Sequence, residues 1–245
     1  MDPNGRTALI TGGARMGREI GATMARLGCH VAFTYRTSRA SAEEAVAAVR
    51  AQGTRGLAIE ADLARHEAIA AAIDRVVHEL GGLDILICMA SRYVRHDFSS
   101  LDAAAWREGL DADLDSVYHL ALAAAPHMRR GGAGRIINFA DWLPASGRPR
   151  YRGYLPYYVA KAGVVALTEG LALELAPEIL VNAIAPGPIV APPALSDEGN
   201  REVLQATPLG RWGGAAEIAK AVRFLVESDF ITGETIRVDG GRHLN

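Results

Sequence analysis

Short apolar runs alternate with segments of helical length along the whole 245-residue chain, and no other feature narrows the possible folds as much. The runs are Thr7–Thr11, His30–Tyr35, Gly56–Ala61, Leu83–Ala90, Arg135–Ala140, Leu180–Ala185 and Thr235–Val238. Most are continuously apolar rather than alternating in polarity, the pattern of parallel strands covered on both faces. Between them, Gly17–Leu27, Ala42–Gln52, Glu67–Leu80, Ala104–Arg129, Tyr157–Leu175 and Ala215–Glu227 have helical length and spacing. The alternation predicts an α/β fold, a single doubly wound domain over residues 1–245 whose seven-stranded parallel sheet is flanked by helices. No Pro/Ser linker, repeat or low-complexity tract divides it.

Composition removes several classes of function. Hydrophobic residues make up 49% of the chain, enough for a substantial core, and 26 Lys+Arg against 28 Asp+Glu leave a formal charge of −2. That balance suggests neither a nucleic-acid nor an anionic-membrane surface. Cys29 and Cys88, the two cysteines, lie in apolar strand-like runs, so a disulfide scaffold is implausible and a reducing cytoplasm is expected. The segment Met1–Arg6 has no signal-peptide character, and no apolar run approaches the roughly 20 residues that span a bilayer. A soluble protein is expected. The histidines, among them His66, His78, His96, His119, His127 and His243, are scattered without metal-ligand spacing, so no metal site is expected.

The longest irregular stretches are Asp141–Pro156 and Pro186–Gln205. Both follow strands, which puts them at the carboxyl edge of the sheet where open α/β folds bind ligands. The second is Pro-rich and polar, with a short helix expected near Asp197–Gln205. It reads as a cover over a pocket or as packing against a neighbour.

Gly12, Gly13 and Gly17, with Arg15 and Met16 between them, sit where the first strand turns into the first helix. A pyrophosphate can approach backbone that lacks Cβ atoms, and a helix N-terminus offers unpaired N–H groups. A glycine turn alone is a weak signal, equally compatible with a purely structural turn. Three further features agree with a dinucleotide. Asp62-Leu63 follows the third strand, where a carboxylate can accept from an adenine amino group. The fourth strand ends in Cys88-Met89-Ala90-Ser91, small enough at Ala90 and Ser91 for a ribose to approach. The second strand ends in Thr34-Tyr35-Arg36-Thr37-Ser38, with no acid to hold a ribose 2′-hydroxyl. Arg36 and Arg15 suit a 2′-phosphate instead, so NADPH is expected in preference to NADH; solvated surface charge is the plainer explanation of these arginines.

Tyr157 and Lys161 are four residues apart and share a helix face. A phenol with a pKa near 10 is expected to be lowered by the neighbouring ammonium into a range useful for donating a proton as hydride arrives. Tyr154 and Tyr158 compete for the role, but Tyr158 is only three residues before Lys161 and faces elsewhere. Asp141, just before, has several readings: it orients Tyr157 or a water, holds a substrate nitrogen, donates when protonated, or merely caps a helix or pairs with a loop arginine. Asp113 is expected in a buried polar network near the site.

These residues resemble the short-chain dehydrogenase/reductase family over essentially the whole chain. The likeness also includes Arg135-Ile136-Ile137-Asn138, Val181-Asn182-Ala183-Ile184-Ala185-Pro186-Gly187-Pro188 and Val238-Asp239-Gly240-Gly241. It implies a Rossmann-like fold, NADP as cofactor, Tyr157, Lys161, Asp141 and Asp113 as catalytic residues, and a homotetramer. It also implies that Lys161 bonds the nicotinamide ribose and that Pro186, Gly187 and Ile189 contact the dinucleotide. Asp141 stands where most members carry serine. With Arg15 and Ala90-Ser91, it makes the chain resemble pteridine reductases and suggests a pterin-like C=N acceptor. A 3-oxoacyl thioester or small-ketone carbonyl reductase is the alternative, and a non-catalytic nucleotide-binding regulator a third. The chain departs from the family in a glycine turn one residue short, Cys88-Met89 for two asparagines, Asp113 for a helix asparagine, and Ala191 followed by Pro192-Pro193 for a threonine. A further departure is the 16-position separation of Asp141 from Tyr157, with Arg148, Arg150 and Arg152 in between.

Overall fold

Val, Ile, Leu and Ala fill the inner strands without polar interruption, so these strands can be buried on both faces only if helices cover them. The computed structural model, which describes residues 1–12, 16–147 and 152–245, has that arrangement. Seven strands form one sheet: β1 (Thr7–Thr11), β2 (His30–Tyr35), β3 (Gly56–Glu60), β4 (Ile85–Cys88), β5 (Gly134–Phe139), β6 (Ile179–Pro186) and β7 (Thr235–Val238). Their order is β3-β2-β1-β4-β5-β6-β7, with every pairing parallel.

One face is covered by α1 (Gly17–Arg26), α2 (Arg39–Arg50) and a helix near the C-terminus, Ala215–Glu227, through Ile20, Met24, Val46, Val49, Ile218 and Val222. The other is covered by α3 (His66–Leu80), a helix at Ser116–Arg130 and one at Leu155–Leu175, through Ile69, Val76, Leu120, Met128 and Val164. The chain moves outward from β1 through β2 to β3, then returns and builds away from β4 in the other direction. Adjacent crossovers at β1 and β4 therefore leave on opposite faces, and a crevice opens at their carboxyl ends.

Most elements lie within a few residues of their predicted bounds, and Asp197–Gln205 is helical as expected. The predicted strand Leu83–Ala90 narrows to Ile85–Cys88, because Met89 and Ala90 leave the ladder and bond instead to the Thr11 hydroxyl. The single helix predicted over Ala104–Arg129 is two helices, α4 (Ala103–Leu110) and α5 (Ser116–Arg130), joined by one wide turn of π-helix at Asp111–Asp115. Such a turn accommodates an extra residue within a helix and is frequent at functional sites. The irregular stretch after β5 holds a short helix, α6 (Trp142–Ala145), before α7 (Leu155–Leu175); α8 (Asp197–Gln205) and α9 (Ala215–Glu227) complete the chain's helices among the described residues.

The π turn packs tightly on α7. A Cβ on Gly163 would come 2.8 Å from Leu114 Cδ2, so a larger residue there would require the Leu114 side chain to move.

Candidate active site and dinucleotide cleft

A cleft of about 830 Å³ opens at the carboxyl edge of the sheet. At one end Gly12 has φ +64°, and a Cβ there would come 2.9 Å from Ala90 Cα. Glycine is thus required twice over, by its backbone conformation and by the closeness of β4. The Thr11 hydroxyl, fully buried, accepts from Met89 N at 3.1 Å and Ala90 N at 3.3 Å and locks the two strand ends together. Helix α1 starts at Gly17 after Met16, whose side chain does not cap it, and Met16, Gly17 and Arg18 line the cleft where the first helical N–H groups need partners. Gly13 and Arg15, also expected here, lie outside the described residues, as do Arg148 and Arg150.

Tyr35, Arg36, Thr37 and Ser38 line the same end. Arg36 is exposed, and among the described residues no carboxylate pairs with it. Ser38 precedes α2 without capping it by its side chain. Asp62 is exposed on the lining and accepts from Ala64 N at 3.2 Å, beside half-buried Leu63. Met89, Ala90, Ser91, Pro186, Gly187 and Ile189 complete the lining toward the centre. An uncapped helix start, a close strand approach allowed by glycine, and an unpaired cation beyond β2 fit a phosphorylated dinucleotide.

At the other end α7 brings Tyr157 and Lys161 to the floor. Tyr157 Oη donates to Asp141 Oδ2 at 2.9 Å, and Asp141 Oδ1 accepts from Leu143 N at 2.8 Å. Asp141 therefore does two of the things foreseen for it: it caps α6 and it orients Tyr157. Tyr154 is stacked on Tyr93 at 4.3 Å, and Tyr93 meets Tyr157 edge-on at 4.9 Å. Of the competing phenols, Tyr157 is the one bonded to Asp141.

Lys161, 3% exposed, donates to Phe139 O at 2.8 Å and stands 3.5 Å from Asp113 Oδ1. Asp113 is wholly buried in the π turn and accepts from Arg92 N at 3.2 Å with both oxygens. Removal of either partner would strand a charge in the interior.

The electrostatic outcome reverses the expectation for Tyr157. Burial first, then the Asp141 charge and the bond to it, then Asp113, push the phenol well above its usual range. Lys161 does not offset this, because Asp113 stands beside its ammonium and the nitrogen is 5.8 Å from the phenol ring centre. Burial also raises Asp141, opposed by the Leu143 amide, the phenol and Lys161.

Several cleft residues had no counterpart in the sequence reading. Tyr93, Trp142, Leu195, Val203, Trp212 and Arg242 line the substrate end. Trp142 adjoins Asp141 and was within reach of inference. Leu195 and Val203 lie in the Pro186–Gln205 stretch read as a cover over a pocket, while Tyr93, Trp212 and Arg242 come from segments joined only by the fold.

The family described as Enoyl-(Acyl carrier protein) reductase matches residues 13–243. The 3-oxoacyl-[acyl-carrier-protein] reductase FabG of Staphylococcus aureus is 37% identical over 245 residues, covering 98% of each chain. Among solved structures, a short-chain dehydrogenase from Burkholderia cenocepacia in complex with NADP superposes with a TM-score of 0.89, at 32% identity and 99% of each chain. The NADPH-dependent 3-quinuclidinone reductase of Rhodotorula rubra gives 0.91 at 26% identity, over 100% of this chain and 93% of that one. These similarities are to an enoyl reductase family, to reductases named for 3-oxoacyl and quinuclidinone substrates, and to a structure in complex with NADP. They give no support to a particular closeness to pteridine reductases, which rests on Asp141, Arg15 and Ala90-Ser91 alone.

Proposed function

Because the chain belongs to the short-chain dehydrogenase/reductase family, we propose that it is an NADPH-dependent oxidoreductase that reduces a carbonyl group of the 3-oxoacyl or small-ketone kind. The observation that carries this reading is the Tyr157–Asp141 hydrogen bond of 2.9 Å at the floor of the cleft, with Lys161 one helical turn away. The turn from Gly12 to Gly17 would hold the pyrophosphate, Arg36, Thr37 and Ser38 the 2′-phosphate, and Asp62 with Leu63 the adenine. Met89, Ala90 and Ser91 would flank a ribose, and Pro186, Gly187 and Ile189 the nicotinamide. When bound, NADPH supplies the hydride that reaches the carbonyl carbon.

The chain supplies the proton. Tyr157 stays a neutral phenol through neutral pH because its anion would be buried beside two carboxylates. As charge develops on the substrate oxygen, the phenol turns its hydrogen from Asp141 to that oxygen. Solvent then returns a proton to the phenol oxygen, while Asp141, held by the Leu143 amide, keeps the phenol oriented. Lys161 has three donors; Phe139 O and Asp113 engage two, and the third is left for a ribose hydroxyl.

Asp141 favours one second reading, a C=N heterocycle of the pterin type, because a carboxylate there can accept a substrate N–H. Steady-state NADPH oxidation with acetoacetyl thioester, a small ketone, dihydrobiopterin and a cyclic imine decides between them. Preference for the thioester or ketone is expected, and preference for the pterin or imine would overturn it. Tight NADPH binding with no turnover of any of the four would favour a regulator. Homotetramer formation is a further proposal, supported by exposed apolar side chains on α5 and α7: Tyr118 (45%), Leu122 (58%) and Leu173 (85%).

A further inference from the structure

Arg242 follows β7 and lines the cleft beside Trp142 at the substrate end. Its guanidinium carbon lies 5.8 Å from the centre of the Trp142 ring, and Trp142 is the peptide neighbour of Asp141. A single N–H, on Nη1, donates to Val203 O at 3.3 Å. That carbonyl already accepts from the Thr207 hydroxyl at 2.6 Å, so the contact is a shared and secondary one. A guanidinium carries five N–H donors, which leaves most of this one's capacity unused.

The other cations lining the cleft are differently placed. Arg92 is paired with Glu108 and Lys161 with Asp113, while Arg18 and Arg36 belong to the dinucleotide end. Asp239, the acid nearest Arg242 in the chain, is engaged by the Gly241 and His243 amides at 3.0 Å each and by the His243 ring at 2.7 Å. Among the described residues, Arg242 is thus the cation at the substrate end without a carboxylate partner. It stands against the Trp142 ring and beside Val203, in a cleft also lined by Leu195 and Trp212, and apolar surroundings strengthen a charge-assisted bond by excluding water.

We infer that Arg242 is an anion-binding residue for the substrate, and that the preferred ketone carries a carboxylate at the end away from the reacting carbon, as a free 3-oxo acid does. This rests on the carbonyl-reductase reading. It assigns to Arg242 no part in the proton path.

The test compares acetoacetate with its methyl ester as substrates of the wild-type enzyme, Arg242→Met and Arg242→Lys, by steady-state NADPH oxidation. The wild type is expected to prefer the acid. Arg242→Met should lower kcat/KM for the acid by about 10- to 100-fold, mainly through KM, with little change for the ester. Arg242→Lys should recover part of the loss. Equal losses on both substrates would assign Arg242 a structural role through Trp142 and Val203 and overturn the inference. So would a wild type that treats acid and ester alike, which would leave the carbonyl-reductase reading intact. If neither compound is reduced, the 3-oxo acid assignment falls, and the carbonyl-reductase reading is judged on the thioester and small ketone. The anion site is then decided by calorimetric titration of the NADP-loaded protein with malonate, where binding abolished in Arg242→Met sustains it and no binding ends it.

Discussion

At the dinucleotide end of the cleft, Gly12 lets β1 close on Ala90, and α1 begins with its backbone amides uncapped. Side chains there are small, exposed or unpaired. At the substrate end the reverse holds: Tyr157 and Lys161 from α7, Asp141 from the start of α6 and Asp113 from the π turn meet beneath the surface in two pairs. The first end works by leaving backbone groups open, which suits a ligand that brings its own charge. The second works by keeping charges in pairs, so that one proton can be held or released without exposing an ion to an apolar interior.

The sharpest way to break this contrast is to remove the proton donor. Tyr157→Phe should cut kcat for carbonyl reduction by about 10²- to 10⁴-fold while leaving NADPH affinity near wild type, as read from fluorescence titration alongside turnover. A variant with nearly full activity would show that the paired end is not the chemical one. Next in size, Arg36→Ala should raise KM for NADPH by about tenfold and leave KM for NADH unchanged, since a phosphate contact is lost that NADH never makes. Equal effects on the two cofactors would mean that Arg36 is ordinary surface charge.

The smallest expected change is the most informative about the buried network. Asp113 raises Tyr157, so Asp113→Asn removes a nearby negative charge and frees the field of Lys161. Both changes lower the phenol. Reduction requires the protonated phenol, so its alkaline limb should move to lower pH, and alcohol oxidation, which requires the phenolate, should gain at the same pH. The other charged groups facing Tyr157 are Asp141 and Lys161, and neither is altered in this variant. An unmoved pH–rate profile would show that Asp113 only positions the Arg92 backbone.

How much of this was legible in the sequence follows the same division. The strand–helix alternation gave the layer order, because continuous apolar runs have one stable use in a chain with this many helices. The glycine turn and the Tyr157/Lys161 pair were legible because each encodes its geometry within a few residues: a missing Cβ in one case, one helical turn in the other. The ionisation of Tyr157 was misread because the sequence shows Lys161 four positions away, whereas the placing of Asp113, expected in a buried network near the site, directly beside that ammonium depends on a π turn in a segment read as continuous helix. Arg242 and Trp212 were invisible for a related reason. Nothing local marks a residue that reaches the cleft only after β6 and β7 have joined the sheet.

The wide turn at Asp111–Asp115 also constrains how this chain can change in length. An α-helix advances about 100° per residue, so deleting any one residue there would let α4 and α5 fuse into a regular helix and swing one of them around its axis by about that angle relative to the other. Either Asp113 would turn away from Lys161, or the apolar stripe of α5, with Leu120 and Met128, would leave the sheet. Substitutions can be tolerated in this segment, but single-residue deletions should not be.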